Sequence, residues 1–138
     1  MTNVLVVGSS VFSIINFRSD LVKQLQKKNK VTILCLAANE KEMEYFNNEL
    51  KVQYFPLNFS RNNFSLLSDL KTFLMLRKII KKHKPNTIFS FNVKPTILTG
   101  ITLLFFNIKK ISFIPTITGL GTGLHGKTFL IYKFRTMI

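Results

Sequence analysis

The sequence contains no tryptophan, a single cysteine and only six acidic residues among 138 positions. One cysteine excludes a framework of intramolecular disulfides, and Cys35 lies in the apolar run VTILCL. We therefore expect a core thiol in a reduced, cytoplasmic protein. The shortage of carboxylates leaves 20 Lys and Arg against 6 Asp and Glu, a net charge of +14. Such an excess indicates an anionic partner without naming it.

Long apolar runs are also missing. The longest mainly apolar segment, Ile97–Phe106, is about half of the ~20 residues that a helix needs to span a bilayer. No basic region precedes the first apolar run, so we expect no signal peptide. The sequence also lacks zinc-ligand spacing and an aromatic-rich basic sheet pattern, which makes a nucleic-acid partner unexpected. It predicts neither a metal site nor a cofactor.

The length fits one domain, in which short apolar runs alternate with helical patterns. The five predicted strands are Val4–Val7, Val31–Leu36, Val52–Phe55 (ended by Pro56), Thr87–Phe91 and Ile111–Ile117. Alternation of strands and helices indicates a parallel sheet covered on both faces, and right-handed crossovers favour the order 3-2-1-4-5. The predicted fold class is therefore α/β, a Rossmann-like, doubly wound parallel sheet.

Apolar periodicity predicts helices between these strands. The first helix has the apolar stripe Ile14, Phe17, Leu21 and Leu25, with Val22 beside it. The second begins with a capping box formed by Asn39 and Glu42, and the third, which ends at Pro85, has the stripe Leu66, Leu70, Phe73, Leu74 and Ile80. We expect each stripe to face the sheet.

The segment Thr87–Gly100 is expected to form a strand, a loop and a helix that begins at Pro95. The residue before a proline is usually extended, which would place Lys94 at the carboxyl end of the strand. In the predicted sheet the loops Gly8–Ser10 and Asn92–Lys94 flank one crevice, which the loop Thr118–Gly121 closes. Lys94 is either a phosphate ligand or a solvated surface cation. The first loop is either a phosphate cradle or a plain turn.

The stretch Gly121–Thr128, GTGLHGKT, matches the P-loop pattern letter for letter. A P-loop needs a following helix, and a P-loop nucleotidase needs a carboxylate at the end of a neighbouring strand. Ten residues follow Thr128, and none of the six carboxylates ends an apolar strand. We therefore reject this match, and a P-loop nucleotide binder is the least favoured alternative.

Cations collect at the end of the third predicted helix, Leu66–Lys84. Together with Lys109, Lys110 and the segment Ile97–Phe106, they form either a solvated face or a surface that rests on anionic lipid. His83 is expected to face solvent, and it is not a credible catalytic base. A basic module for membrane surfaces or nucleic acid is therefore one alternative function.

Three segments carry a resemblance to a known family: NFRSDLVKQL, KPNTIFSFNVKPTI and the turn TITGLG. Residues 1–122 resemble the amino-terminal half of the family 4 glycosyltransferases, which have the GT-B fold. The resemblance is to bacterial enzymes that add a sugar from a UDP-sugar to a polyprenyl-diphosphate-linked saccharide in surface polysaccharide synthesis. It implies a cytoplasmic protein, peripheral at the inner face of the plasma membrane, that holds the lipid-linked acceptor.

The resemblance also implies the site residues. Those that would line the cleft for acceptor or donor are Gly8, Ser9, Ser10, Arg61, Asn92, Lys94, Gly119 and Gly121. No catalytic residue is identified, because the donor-binding domain with the family's paired glutamates is missing from this sequence. We therefore expect the chain to be inactive alone.

The tail, residues 123–138, resembles a different family. Its sequence GLHGKTFLIYKFRTMI is similar to the KFRTM signature of bacterial polyprenyl-phosphate sugar-1-phosphate transferases. This resemblance predicts two gene fragments joined near Thr122. We expect the tail to be loosely packed, because its apolar side chains lack a core that evolved to receive them.

Overall fold

A computed structural model describes residues 2–59, 65–106 and 110–117. In chain order the elements are β1 (Thr2–Val7), α1 (Val11–Gln26), β2 (Asn29–Leu36), α2 (Glu40–Glu44) with a π-helical continuation (Tyr45–Glu49), β3 (Gln53–Leu57), α3 (Leu66–His83), β4 (Thr87–Phe91), α4 (Val93–Phe105) and β5 (Ser112–Thr116).

The sheet has five parallel strands in the order β3-β2-β1-β4-β5, which confirms the predicted topology. The central strand β1 pairs with β2 on one side and with β4 on the other, so that Val4 lies opposite both Val31 and Thr87. Side chains of a strand alternate between the two faces of the sheet. Both faces are covered here, and Val4–Val7 are all buried.

Each face of the sheet has its own core. On the first face, Val4 and Val6 pack with Ile14 of α1 and with Phe46 of the π-helical turn. On the second face, Leu5 and Val7 pack with residues of α3 and α4, including Leu76 and Leu103. The crossover helices therefore divide between the two faces, as the predicted right-handed connections require.

The predicted end of β3 was wrong. The strand continues through Pro56 to Leu57, and β5 likewise contains Pro115. A proline cannot donate a ladder hydrogen bond, which is harmless on a strand with a neighbour on one side only. Both prolines lie on the two edge strands of the sheet.

The predicted start of α4 was also wrong. The helix begins at Val93, with Asn92 as its N-cap, so Pro95 is its third residue and Lys94 is helical rather than extended. The N–H groups of a helix's first turn have no partner within the helix, so a proline is tolerated there.

The predicted stripe of α1 largely faces the sheet, whereas the predicted stripe of α3 largely does not. In α1, Ile14 and Val22 are buried and Leu21 and Leu25 pack against the core, whereas Phe17 is 73% exposed. Val11 and Arg18 are the other buried residues of that helix. Leu66 of α3 is 89% exposed, and the buried residues of α3 are Thr72, Leu76, Ile79 and Ile80. Because α3 carries more apolar side chains than one face can hold, periodicity alone selected the wrong side of that helix.

His83 does not face solvent as predicted. Its ring is half-buried and packs edge-on against Phe55, with 5.4 Å between the ring centroids. Its backbone carbonyl accepts a hydrogen bond from the Asn3 side chain at 2.7 Å. Burial, reinforced by Lys82 and Lys30, lowers the pKa of His83, so the imidazole is neutral at pH 7.

Two smaller predictions are confirmed. Asn39 and Glu42 form the capping box, each side chain accepting a hydrogen bond from the other residue's backbone N–H at 2.9 Å. Cys35 is fully buried, and burial, with a contribution from Glu42, raises the pKa of its thiol to about 12. At neutral pH the thiol is therefore protonated and unreactive.

Substitution of two glycines by alanine should have opposite effects on stability. A Cβ atom on Gly8 would lie 2.9 Å from Cδ1 of the fully buried Ile14, so Gly8→Ala forces the Ile14 side chain to move within the core and should cost about 1–3 kcal/mol. At Gly100, inside α4, the nearest atom of Phe113 is 3.7 Å away. Gly100→Ala should therefore stabilise the fold by up to about 1 kcal/mol.

Urea unfolding of both variants measures these changes in the free energy of unfolding. The dependence of that free energy on urea concentration should be the same as in the parent, which indicates that both variants remain two-state. A neutral Gly8→Ala would contradict the close approach of the Ile14 side chain to Gly8.

Candidate functional site

The two loops predicted to flank a crevice are in contact. They follow β1 and β4, which are neighbours with carboxyl ends at the same edge of the sheet. The side-chain amide of Asn92 donates a hydrogen bond to the hydroxyl oxygen of Ser9, joining the loops directly. In open α/β sheets, ligands bind at such a position, where neighbouring crossovers leave in opposite directions.

Part of the hydrogen-bonding capacity of the Gly8–Ser10 loop is used to stabilise the fold. The N–H of Gly8 donates to the carbonyl of Leu34 at 2.8 Å, and the hydroxyl of Ser10 accepts from the N–H of Ser13 at 3.1 Å, as the N-cap of α1. The first turn of α1 contains no acidic residue. The partial positive charge of the helix terminus is therefore not neutralised locally, and this helix end faces the crevice.

Asn92 has an unusual backbone conformation, with φ 71° and ψ 161°. Residues other than glycine rarely adopt this backbone conformation, which costs about 1–3 kcal/mol. Its N–H donates to the carbonyl of Thr116 at 3.1 Å, and its carbonyl accepts from the N–H of Thr96 at 3.2 Å. Asn92 thus ties the ends of β1, β4 and β5 together, and strain of this kind is concentrated at ligand sites.

Lys94 lies in the first turn of α4 and forms an ion pair with α3. Its Nζ is 2.8 Å from Oδ1 of Asp69, and the two side chains are only 12% and 15% exposed. Nζ also lies 5.6 Å from the centre of the Phe59 ring. A solvated surface cation does not fit this burial. A phosphate that binds Lys94 would have to share it with Asp69 or displace that carboxylate.

Arg18 is a charged group that the sequence analysis missed. Only 7% of it is exposed, its Nη1 donates to the carbonyl and hydroxyl oxygens of Ser13, and its guanidinium lies 4.3 Å from the centre of the Phe91 ring. Burial lowers the pKa of Arg18, although the group remains charged. With Phe17 and Leu21 it lines a cavity of about 520 Å³. Its spacing of four from Ile14 and from Val22 was the signal, because it puts an arginine on the buried stripe.

A second cavity, of about 600 Å³, adjoins the crevice at the carboxyl ends of β2 and β3. Leu36, Leu57 and Phe59 supply apolar walls, and Ser68 of α3 contributes a hydroxyl. Phe59 is shared with Lys94, so the cavity and the cation are neighbours. An apolar cavity beside a cation suits a ligand with both apolar and anionic parts.

Three of the predicted site residues, Arg61, Gly119 and Gly121, lie outside the described residues, as does the tail at 123–138. The structure places the other five, Gly8, Ser9, Ser10, Asn92 and Lys94, around one crevice. Within the described ranges, no three His, Cys, Asp or Glu side chains are grouped so that they could hold a metal ion. Asp69 is the carboxylate at the crevice, and it is ion-paired.

The sequence matches the protein family described as "Glycosyl transferase 4-like" over residues 4–137. No curated protein matches the sequence significantly. The matched span crosses the predicted junction near Thr122, and the division of the chain there stays a prediction.

Several solved structures share the fold at low sequence identity. MurG from Acinetobacter baumannii has a TM-score of 0.62 and 13% identity, over 90% of this chain and 37% of that one. UDP-GlcNAc 2-epimerase from Neisseria meningitidis, bound to UDP-GlcNAc, has a TM-score of 0.57 and 16% identity, over 95% and 34%. The C-terminal domain of a Pyrococcus furiosus hydrogenase also matches, with a TM-score of 0.57 and 13% identity, over 83% and 91%. The chain spans little more than a third of MurG and of the epimerase. These likenesses establish the fold, and the hydrogenase domain shows that the fold alone does not define a reaction.

The ion pair across α3 and α4 generates a prediction. Asp69→Asn removes the carboxylate charge that pairs with the largely buried Lys94 and should destabilise the protein by about 1–3 kcal/mol, below the cost of breaking a fully buried pair. The double variant Asp69→Asn, Lys94→Gln should be less destabilised than the sum of the single variants, because the two groups interact.

Chemical denaturation of the four proteins in this double-mutant cycle measures the coupling. Asp20→Asn, an exposed carboxylate of α1, is the control and should change stability by less than about 0.5 kcal/mol. Additive single effects would mean that the pair contributes nothing.

Proposed function

The chain belongs to the glycosyl transferase 4-like family, and from that premise we propose that it is the acceptor-side half of an enzyme that transfers a sugar from a UDP-sugar to a polyprenyl-diphosphate-linked saccharide. The reaction would serve the synthesis of bacterial surface polysaccharide. The observation that carries the proposal is the crevice at the carboxyl ends of β1 and β4, where Asn92 contacts the loop before α1 and Lys94 lies in the first turn of α4.

The crevice suits the diphosphate of such an acceptor. The amino-terminal ends of α1 and α4 both lie there, and each carries a partial positive charge of about half a unit. Lys94 adds a full cation, balanced in this structure by Asp69. The neighbouring apolar cavity beside Phe59 offers room for uncharged parts of the same ligand.

The donor would be held largely by a second domain. The epimerase of similar fold is bound to UDP-GlcNAc, and it is about three times as long as the span matched here. In this proposal the Gly8–Ser10 loop faces the donor across a cleft between domains. The present chain then supplies acceptor binding and one wall of that cleft.

The lipid-linked acceptor implies a protein peripheral at the cytoplasmic face of the membrane. The exposed apolar side chains of α3 and α4 support such contact, and so does the charge of these two helices. Their outer surface, here called the apolar face, consists of the exposed residues Leu66, Leu67, Leu70, Leu74, Val93, Ile97, Ile101, Leu104 and Phe105. None of the helices among the described residues is long and apolar enough to cross a bilayer. A set of exposed apolar side chains on two neighbouring helices is typical of an interaction site.

Positive charge is concentrated on the same two helices as the apolar face. The helices α3 and α4 carry six Lys and Arg side chains against one carboxylate, whereas α1, α2 and the π-helical turn carry three against five. Each cation close to an anionic membrane contributes about 1 kcal/mol of attraction. The side with the exposed apolar residues is therefore also the side that an anionic surface attracts. This feature favours one alternative function, a free-standing module for membrane surfaces.

The catalytic part of the proposal is tested by a transfer assay with a labelled UDP-sugar and a polyprenyl-diphosphate-linked acceptor. The 138-residue chain alone should give no turnover, because in this proposal a second domain supplies the donor-binding wall of the cleft. A fusion of the chain to the carboxyl-terminal domain of a family member should transfer sugar, and Lys94→Gln should lower its rate at least tenfold. Turnover by the isolated chain would overturn the proposed division of labour.

The membrane part is tested by sedimentation with vesicles. Leu104→Ser with Phe105→Ser removes two side chains that are 81% and 79% exposed, and should weaken binding to anionic vesicles at least tenfold. Complete burial of each such side chain is worth about 1.5–3 kcal/mol, of which partial insertion recovers a part. The matched control, Phe12→Ser with Phe17→Ser, removes two exposed apolar side chains from α1 and should bind like the parent. Equal losses in both variants would exclude the apolar face as the contact.

A further inference from the structure

A separate pocket lies at the amino ends of the strands, whereas the crevice lies at their carboxyl ends. It has a volume of about 450 Å³ and lies where α3 ends and β4 and β5 begin. Ile80, Phe106 and Ile111 form apolar walls, and Lys81, Lys84 and Lys110 bring three ammonium groups. We call this site the amino-edge pocket.

The walls of the amino-edge pocket are firmly held. The N–H of Asn86 donates to the carbonyl of Asn3 at 2.8 Å, and its carbonyl accepts from the N–H of Ser112 at 2.9 Å. The guanidinium of Arg77 lies 4.1 Å from the centre of the Phe106 ring, holding that ring from the α3 side. Most of the lining residues belong to the connections that follow α3 and precede β5, and these hydrogen bonds and the packed ring fix those connections to the sheet and to α3.

No carboxylate lines the pocket, and all six acidic residues of the chain are located elsewhere: Asp20 in α1, four glutamates in α2 and the π-helical turn, and Asp69 in the first turn of α3. Lysines at a helix's carboxyl end commonly serve only to offset its partial negative charge. That charge is about half a unit, whereas three lysines line this pocket. Most of the positive charge is therefore left for a ligand.

Lys84 occupies a position where a lysine is unfavourable. It ends α3 in the left-handed conformation, φ 43° and ψ 58°, which glycine adopts most readily. Its N–H still donates to the carbonyl of Ile80 at 2.9 Å, so the turn itself does not require a side chain.

We propose that the amino-edge pocket binds the phosphate of an anionic phospholipid. The three ammonium groups of Lys81, Lys84 and Lys110 hold the phosphate, and Ile80 and Ile111 contact the glycerol carbons. The ring of Phe106 also packs against Phe73 at 5.2 Å, and Phe73 packs against Phe105 at 6.0 Å, which connects the pocket to the apolar face. The acyl chains can therefore follow the apolar face while the phosphate stays in the pocket. The choice of a membrane lipid over a soluble phosphate rests on the membrane contact proposed above.

The test is a titration of the ¹⁵N-labelled chain with dihexanoyl phosphatidic acid below its micelle concentration. The amide signals of Lys84, Asn86 and Ile111 should shift together, while those of Gly8 and Asn92 in the crevice stay in place. Inorganic phosphate, titrated in parallel, should bind at least tenfold more weakly because it cannot use the apolar walls. Shifts confined to the crevice, or equal affinity for inorganic phosphate, would overturn the assignment.

Variants separate this pocket from diffuse attraction between charges. The pocket variant carries Lys81→Gln, Lys84→Gly and Lys110→Gln. The control carries Lys23→Gln, Lys27→Gln and Lys28→Gln, three exposed lysines at the end of α1. The pocket variant should bind the short-chain lipid at least tenfold more weakly than the parent, and the control should bind it like the parent. Equal losses would refute a specific site.

Lys84→Gly alone excludes misfolding as the explanation. It places the preferred residue in a left-handed position, so its melting temperature should equal or exceed that of the parent while lipid binding falls. Unaltered lipid binding in this variant would count against the pocket. Because the crevice lies at the other edge of the sheet, sugar transfer by the fusion protein is measured independently. Loss of transfer with intact lipid binding would refute the proposed function alone, and the reverse result would refute the pocket alone.

Discussion

The double pairing of β1 is the constraint on which the rest of the structure depends. A strand bonded to a parallel partner on each side, and covered by helices on both faces, must be apolar on both faces, as Val4–Val7 are. From β1 the chain moves outward to β2 and β3, and then returns across the sheet to β4 and β5. The crevice exists because the two directions of travel diverge at the carboxyl end of this strand.

The strands and their order could be predicted because the information is local. Apolar runs of strand length identify the strands, and the handedness of crossovers then leaves few topologies. The ends of β3 and α4 could not be read in the same way. Pro56 is tolerated only because β3 is an edge strand, and Pro95 only because it falls in the first turn of α4. Both facts depend on the finished fold.

Site prediction had a similar limit. The loops at Gly8–Ser10 and Asn92–Lys94 follow from strand ends and turn residues, and they do meet. The partners that determine their chemistry are distant in sequence: Asp69, which holds Lys94, is 25 positions away, and Phe91 lies 73 positions from Arg18. Such contacts follow from the packing of helices on the sheet, which periodicity describes only to the level of a face. An arginine on a buried stripe was the one local clue.

The error in the stripe of α3 carries the most information about function. A helix that needed only to cover the sheet could expose polar residues where α3 exposes Leu66, Leu67, Leu70 and Leu74. Exposed leucines contribute little to folding, since they remain in water in the isolated domain, and they favour aggregation. Apolar and basic groups alternate on the same two helices, and five of the six carboxylates lie on the opposite face of the sheet, which supports the proposed contact with a membrane. A surface that is apolar and cationic together is stable next to a medium that is apolar and anionic together, which is the boundary of an anionic bilayer.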